Sequence, residues 1–202
     1  MTGDTTARRL GVFGGAFDPP HAAHVALARA AVEQLALDEL RVFPTGQAWH
    51  KVQALSAAEH RLAMAKLAFA DLPRTAVDER ELHRPGPTYT IDTLRELKAG
   101  HPGAALFLVM GEDQADSLTR WHEWRAIVDS VVICVAARPL AQHGMAGTGL
   151  PAEAEVRLLQ LPPMPESATE VRQRAAAGEG IDHLVPPGVA SYIERHHLYR
   201  PT

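Results

Sequence analysis

Short apolar runs alternate along this chain with longer segments rich in alanine, leucine and charge, a pattern of strands interleaved with helices. The first run predicts a strand over about Arg9 to Phe13, followed by an alanine-rich helix from about Ala22 to Leu37. A second strand covers Leu40 to Phe43 and stops at Pro44-Thr45-Gly46. After a loop from Gln47 to Leu55, Ser56-Ala57-Ala58-Glu59 reads as a capping box opening a helix to about Ala70. A short strand at Thr75 to Val77 and an extended piece over Arg80 to His83 come next. The loop Arg84-Pro85-Gly86-Pro87 leads to a helix that starts at Thr88 or Thr90 and ends at Gly100. Strands over Ala105 to Met110, Val131 to Ala136 and Val156 to Leu161 follow. A segment with Trp121 and Trp124 separates the first two, and a glycine- and proline-rich surface loop, Arg138 to Pro151, precedes the last. Beyond Pro162-Pro163-Met164-Pro165, two helices close the chain.

Strands separated by helices imply a parallel sheet with right-handed crossovers and helices on both faces. The expected fold is therefore α/β, a Rossmann-like three-layer parallel sheet with a small C-terminal helical extension. One domain is expected over residues 1–202, with an α/β core at about 9–161 and a helical segment at 162–202. Such sheets bind ligands beyond the carboxyl ends of their strands, where the strand order reverses.

Composition narrows the partners. The 202 residues are 46% hydrophobic and 22% charged, enough for a sizeable core, and the net charge of -4 argues against a nucleic-acid partner. An anionic ligand must then be held by a local site. The single cysteine, Cys134, sits in the run Val131-Val132-Ile133-Cys134-Val135 and reads as a small core residue. Residues Met1 to Arg9 lack the apolar stretch of a signal peptide, and no window has the length of a membrane span, so a cytoplasmic protein is expected.

The stretch Gly11-Val12-Phe13-Gly14-Gly15-Ala16-Phe17-Asp18-Pro19-Pro20-His21-Ala22-Ala23-His24 carries the chemistry. It is a strand, a glycine turn and a helix start, which together offer backbone N–H groups and partial positive charge to a phosphate. It is not a dinucleotide fingerprint, since the spacing is Gly11-x-x-Gly14-Gly15 and the second strand ends without an acid. It is not a Walker loop, since no Gly-Lys-Ser/Thr follows. His21 and His24 taken alone could be metal ligands, phosphate ligands or plain helix-start residues.

Gly-Gly-Ala-Phe-Asp-Pro-Pro-His-x-x-His resembles the signature of the nucleotidylyltransferase superfamily, and further segments resemble its bacterial nicotinate-nucleotide adenylyltransferases. Pro44-Thr45-Gly46-Gln47-Ala48-Trp49-His50-Lys51 resembles the loop that brings a lysine to the triphosphate. Thr88-Tyr89-Thr90 with Asp92-Thr93-Leu94 resembles the substrate-binding helix start. Gly111-Glu112-Asp113 and Trp121 resemble the Gly-x-Asp and the tryptophan beside the pyridine ring. Ser167-Ala168-Thr169-Glu170-Val171-Arg172 resembles the C-terminal phosphate segment, and Leu184-Val185-Pro186 with Tyr192-Ile193 and Leu198-Tyr199 the closing helix. Ala23, Ala16 and Glu166 depart from the family pattern.

The resemblance implies adenylyl transfer from ATP to nicotinate mononucleotide, giving deamido-NAD and pyrophosphate. It assigns His21, His24, Lys51 and Arg172 to catalysis. For ATP it adds Gly14, Gly15, Ala16, Phe17, Gly111, Asp113, Arg138, Ser167 and Thr169; for the mononucleotide, Thr88, Tyr89, Thr90 and Trp121. Mg²⁺ is expected on the phosphates of ATP, with no protein metal site. Nicotinamide mononucleotide or phosphopantetheine as acceptor, and an ATP-sensing module without activity, stay open as alternatives. His83, His101, His183, His196 and His197 read as surface or capping residues, and Trp49 and Trp124 as packing.

Overall fold

Strand β1 (Arg9–Gly15) lies near the middle of a six-stranded sheet, and its side chains alternate between two cores. In the computed structural model, which describes residues 7–46, 55–137 and 150–200, Leu10 and Val12 enter one core and Phe13 the other. The same alternation holds in β4 (Ala105–Met110) and β5 (Val132–Ala137), where Cys134 faces the core opposite to Ile133 and Val135. Cys134 is fully buried, and burial pushes its thiol up to about 12.

With β2 (Glu39–Pro44), β3 (Thr75–Val77) and β6 (Val156–Gln160), the sheet order is β3-β2-β1-β4-β5-β6, and every pairing is parallel. The chain builds outward from β1 to β3, then crosses back to lay β4 on the other side of β1. The strand order reverses between β1 and β4, where a ligand crevice is expected. Helices α1 (Ala22–Gln34), α2 (Ala58–Phe69) and α8 (Pro187–Arg195) cover one face with Leu27, Ala31, Met64, Phe69, Val189 and Ile193. Helices α4 (Thr90–Gly100), α5 (Glu112–Ser117) and α6 (Trp124–Val128) cover the other with Ile91, Leu94, Leu97, Ala115 and Ile127. The three-layer Rossmann-like fold read from the sequence is the fold found. No helix among the described residues is long and apolar enough to cross a membrane.

Three local expectations are corrected. Helix α1 ends at Gln34, because Ala36 turns left-handed (φ 46°) and the Leu37 N–H donates back to Val32 O at 3.1 Å. The Ser56 capping box does not form: α2 begins at Ala58, while the Ser56 N–H and C=O are taken by Asp18 and Arg61. Arg80 to His83 is a short helix, α3, and not extended; the Asp78 carboxylate accepts from the Arg80 N–H and guanidinium and starts the turn.

Candidate active site

At the carboxyl end of β1 the backbone makes a tight turn. A Cβ on Gly15 would stand 2.9 Å from the Phe17 ring, whereas one on Gly14 would meet no protein atom. Gly15 therefore serves packing, and Gly14 keeps the strand end open. Phe17 is left-handed (φ 48°), a conformation that costs a bulky residue free energy and needs surrounding contacts to persist. Its ring is fully buried edge-on against Phe13 at 5.4 Å, Phe69 at 5.6 Å and His24 at 5.2 Å.

His21 is the N-cap of α1, and its backbone N–H donates to Nδ1 of His24 at 3.2 Å. That bond fixes the neutral tautomer of His24 with its proton on Nε2, leaving a donor at the far edge of the ring. The two imidazoles lie 3.8 Å apart, tilted by 36°. His21 is 8% exposed and its Nδ1 has no hydrogen-bond partner among the described residues. Burial lowers its pKa to about 4, so at neutral pH it is uncharged.

This helix start forms one wall of a cleft of about 650 Å³ that opens at the reversal between β1 and β4, within the range of small-molecule sites. Gly14, Gly15, Ala16, Phe17, His21, Ala23 and His24 line it. Gly111, the N-cap of α5, and Asp113 in its first turn line the floor after β4.

The C-terminal segment also lines the cleft, through Leu161 to Ser167 and Arg172. Helix α7 (Ala168–Ala177) is capped by Ser167, whose Oγ accepts from the Glu170 N–H at 3.2 Å. Thr169 stands one step behind the lining and accepts from Arg172 Nη2 at 3.3 Å. A third wall is aromatic. Thr88, Tyr89 and Thr90 reach the cleft at the start of α4, and the Tyr89 ring lies 4.3 Å from His122. Trp121 ties its indole N–H to Ser117 Oγ at 3.2 Å, which fixes the ring at the cleft. Lys51 and Arg138 lie outside the described residues.

The sequence and the architecture match known proteins. The cytidylyltransferase-like family profile matches residues 12–174. A probable nicotinate-nucleotide adenylyltransferase of Albidiferax ferrireducens is 53% identical over 195 residues, 96% of this chain and 98% of the relative. This chain belongs to the nicotinate-nucleotide adenylyltransferase family. A second probable nicotinate-nucleotide adenylyltransferase, from Methylibium petroleiphilum, is 43% identical over 96% of this chain and 93% of its own length. The fold is that of the Plasmodium falciparum nicotinic acid mononucleotide adenylyltransferase complexed with NaAD, with a TM-score of 0.80 at 20% identity, covering 95% of this chain and 97% of that one.

Within this adenylyltransferase, several residues of the site carry no motif signal. Glu81 lines the cleft beside Thr88, accepts from Thr93 Oγ1 at 2.6 Å, and is pushed up to about 7 by burial against the opposing pull of Thr93 and Arg84. Glu166 lines the cleft, and its Oε2 is buried without a partner among the described residues. Asp18, Arg61 and Tyr199 meet directly behind the turn. A charged residue inside an apolar helical stretch, such as Arg61 within Leu62 and Met64, is the signal that could have marked one of them. His101 and His196 cap helices, while His83, His183 and His197 are exposed. Trp124 packs against the core, and Trp49 lies outside the described residues.

Proposed function

We propose that this chain transfers the adenylyl group of ATP to nicotinate mononucleotide. A 5′-phosphate oxygen of the mononucleotide forms a new bond to the α-phosphorus of ATP, the bond to the β-phosphate oxygen breaks, and pyrophosphate leaves with that electron pair. The attacking phosphate is already anionic at neutral pH and needs no general base. The protein's contribution is to align the two phosphates and to meet the charge that builds on the oxygens around phosphorus.

The observation that carries this reading is that two helix starts suited to holding anions line one cleft. One is the N-terminus of α1 with His21 and His24, whose rings lie 3.8 Å apart; the other is the capped start of α7 with Arg172, whose guanidinium reaches the Asp18 carbonyl just before α1. In this reading His24 Nε2 and His21 donate to the phosphates at the reacting centre, and Ser167, Thr169 and Arg172 hold the leaving pyrophosphate, joined by Lys51. Gly14, Gly15, Ala16, Phe17, Gly111, Asp113 and Arg138 surround the rest of ATP. Residues 162–202 thereby complete the ATP site of a single domain. Mg²⁺ enters as part of MgATP, held by phosphate oxygens and water, and a cytoplasmic place of action goes with the reading.

The aromatic wall suits the pyridine nucleotide. Trp121 offers a face to a flat ring, and the start of α4 offers backbone N–H groups and the Thr90 hydroxyl, which favours a carboxylate over a neutral amide. Burial pushes the Glu81 carboxyl up to about 7, which reduces the negative charge on this wall as pH falls below neutral. Pyrophosphate release tests the proposal. MgATP alone should release none, and MgATP with nicotinate mononucleotide should release it stoichiometrically with dinucleotide. Bound ATP with no acceptor used would support the sensing module instead.

A further inference from the structure

The C-terminal turn of the chain returns to the back of the turn that follows β1. Tyr199 donates its hydroxyl to Asp18 Oδ1 at 2.7 Å, across 181 positions of sequence. The Ser56 N–H donates to Asp18 Oδ2 at 3.0 Å, so both oxygens of this buried carboxylate are engaged. Arg172 Nη1 donates to the backbone carbonyl of the same residue at 2.8 Å, while its Nη2 donates to Thr169. Beside them the buried Arg61 donates to Ala16 O at 3.0 Å, Thr45 O at 2.7 Å and Ser56 O at 3.0 Å. The residues on each side of the left-handed Phe17 are thereby held, Ala16 by Arg61 and Asp18 by Tyr199.

Tyr199 itself is left-handed (φ 66°), a conformation a tyrosine keeps only where contacts impose it. Burial, and then the neighbouring Asp18 carboxylate, push the phenol's pKa up, so the hydroxyl stays a donor. The guanidinium of Arg172 has five N–H donors, two of them engaged in the bonds named above, and Arg172 lines the cleft.

We propose that Tyr199 is a positioning residue for adenylyl transfer, acting through Asp18 to hold the Arg172 guanidinium at the cleft. This rests on the function proposed above, in which Arg172 takes the leaving phosphates. The end of the chain is then part of the ATP site without touching ATP.

A double-mutant cycle separates this from a tail fastened for stability alone. Tyr199→Phe removes one hydroxyl. It should weaken MgATP binding, measured by calorimetry, and lower kcat by about tenfold, with KM for the mononucleotide unchanged. In the Arg172→Ala background the same change should have no further effect on either quantity. Asp18→Asn, which keeps the carbonyl used by Arg172, should give the same pattern and stands in if Tyr199→Phe folds poorly. Wild-type behaviour of Tyr199→Phe would overturn the proposal. So would an undiminished loss of MgATP affinity on adding Tyr199→Phe to Arg172→Ala. The proposed function is checked separately by wild-type turnover: MgATP binding without turnover would refute that function and still let the cycle be read from affinity.

Discussion

His21 and His24 share one helix start but differ in solvent and partners. His24 is half-buried, with Nδ1 fixed by the His21 backbone N–H and its donor left at Nε2. Removing one preorganised donor of this kind costs about 2.7–4 kcal/mol of barrier in comparable oxyanion sites. His24→Ala should therefore lower kcat at least about 100-fold with an unchanged circular dichroism spectrum; near-normal turnover would remove His24 from the reacting centre. His21 is read through pH. Its ordinary pKa of 6.5 falls to about 4 in the folded chain, so unfolding takes up a proton between these values and stability drops as pH is lowered through them. Glu81 acts in the opposite sense. Its pKa rises from 4.5 to about 7, so its contribution is full below 4.5 and is lost as pH rises through 7. In urea melts His21→Gln should leave stability declining from pH 4.5 towards 7, and Glu81→Gln should leave it rising from pH 4 to 6.5. Parallel profiles for the two variants would contradict the burial of one or both groups. At this scale the sequence motif carried the histidines, because their spacing and the glycines before them are local. Asp18, Arg61 and Tyr199 were not legible as a group, because their meeting depends on segments far apart in the chain.

Among the elements, α7 gives the cleanest test of a residue that both caps a helix and faces a ligand. Ser167 accepts from the Glu170 N–H, and replacing such a cap by alanine costs about 1 kcal/mol, by glycine only a few tenths. Ser167→Ala should lower the urea midpoint and Ser167→Gly should largely restore it. If the hydroxyl also meets a phosphate, KM for ATP rises in both variants. A rise only in the alanine variant would reduce Ser167 to a cap. The Ser167 cap depends on local sequence alone, because its partner Glu170 lies within one turn. The similar pattern at Ser56 misled because tertiary partners claim that backbone first. Helix α1 was read too long for a related reason: Ala36 takes the left-handed position where glycine is the usual mark of a helix stop. Arg80 to His83 is too short for its periodicity to tell helix from strand, and Asp78 decides the matter through hydrogen bonds.

For the whole molecule, apolar alternation was enough to expect a parallel three-layer sheet, because strands buried on both faces leave that trace in sequence. The position of the cleft followed from strand order, which the alternation alone does not state. Around that cleft the chain gathers its first turn, the start of α4 and the start of α7, so residues far apart in sequence converge on one site. In the proposed function this convergence moves an adenylyl group to the acid form of the pyridine mononucleotide. Its most direct test is label transfer from ATP carrying a radioactive α-phosphate, with nicotinate and nicotinamide mononucleotides compared side by side. Label should appear in the dinucleotide, with kcat/KM favouring the acid by at least about tenfold, the worth of one well-placed hydrogen bond. Label remaining in ATP with both acceptors, or equal transfer to both, would contradict this function.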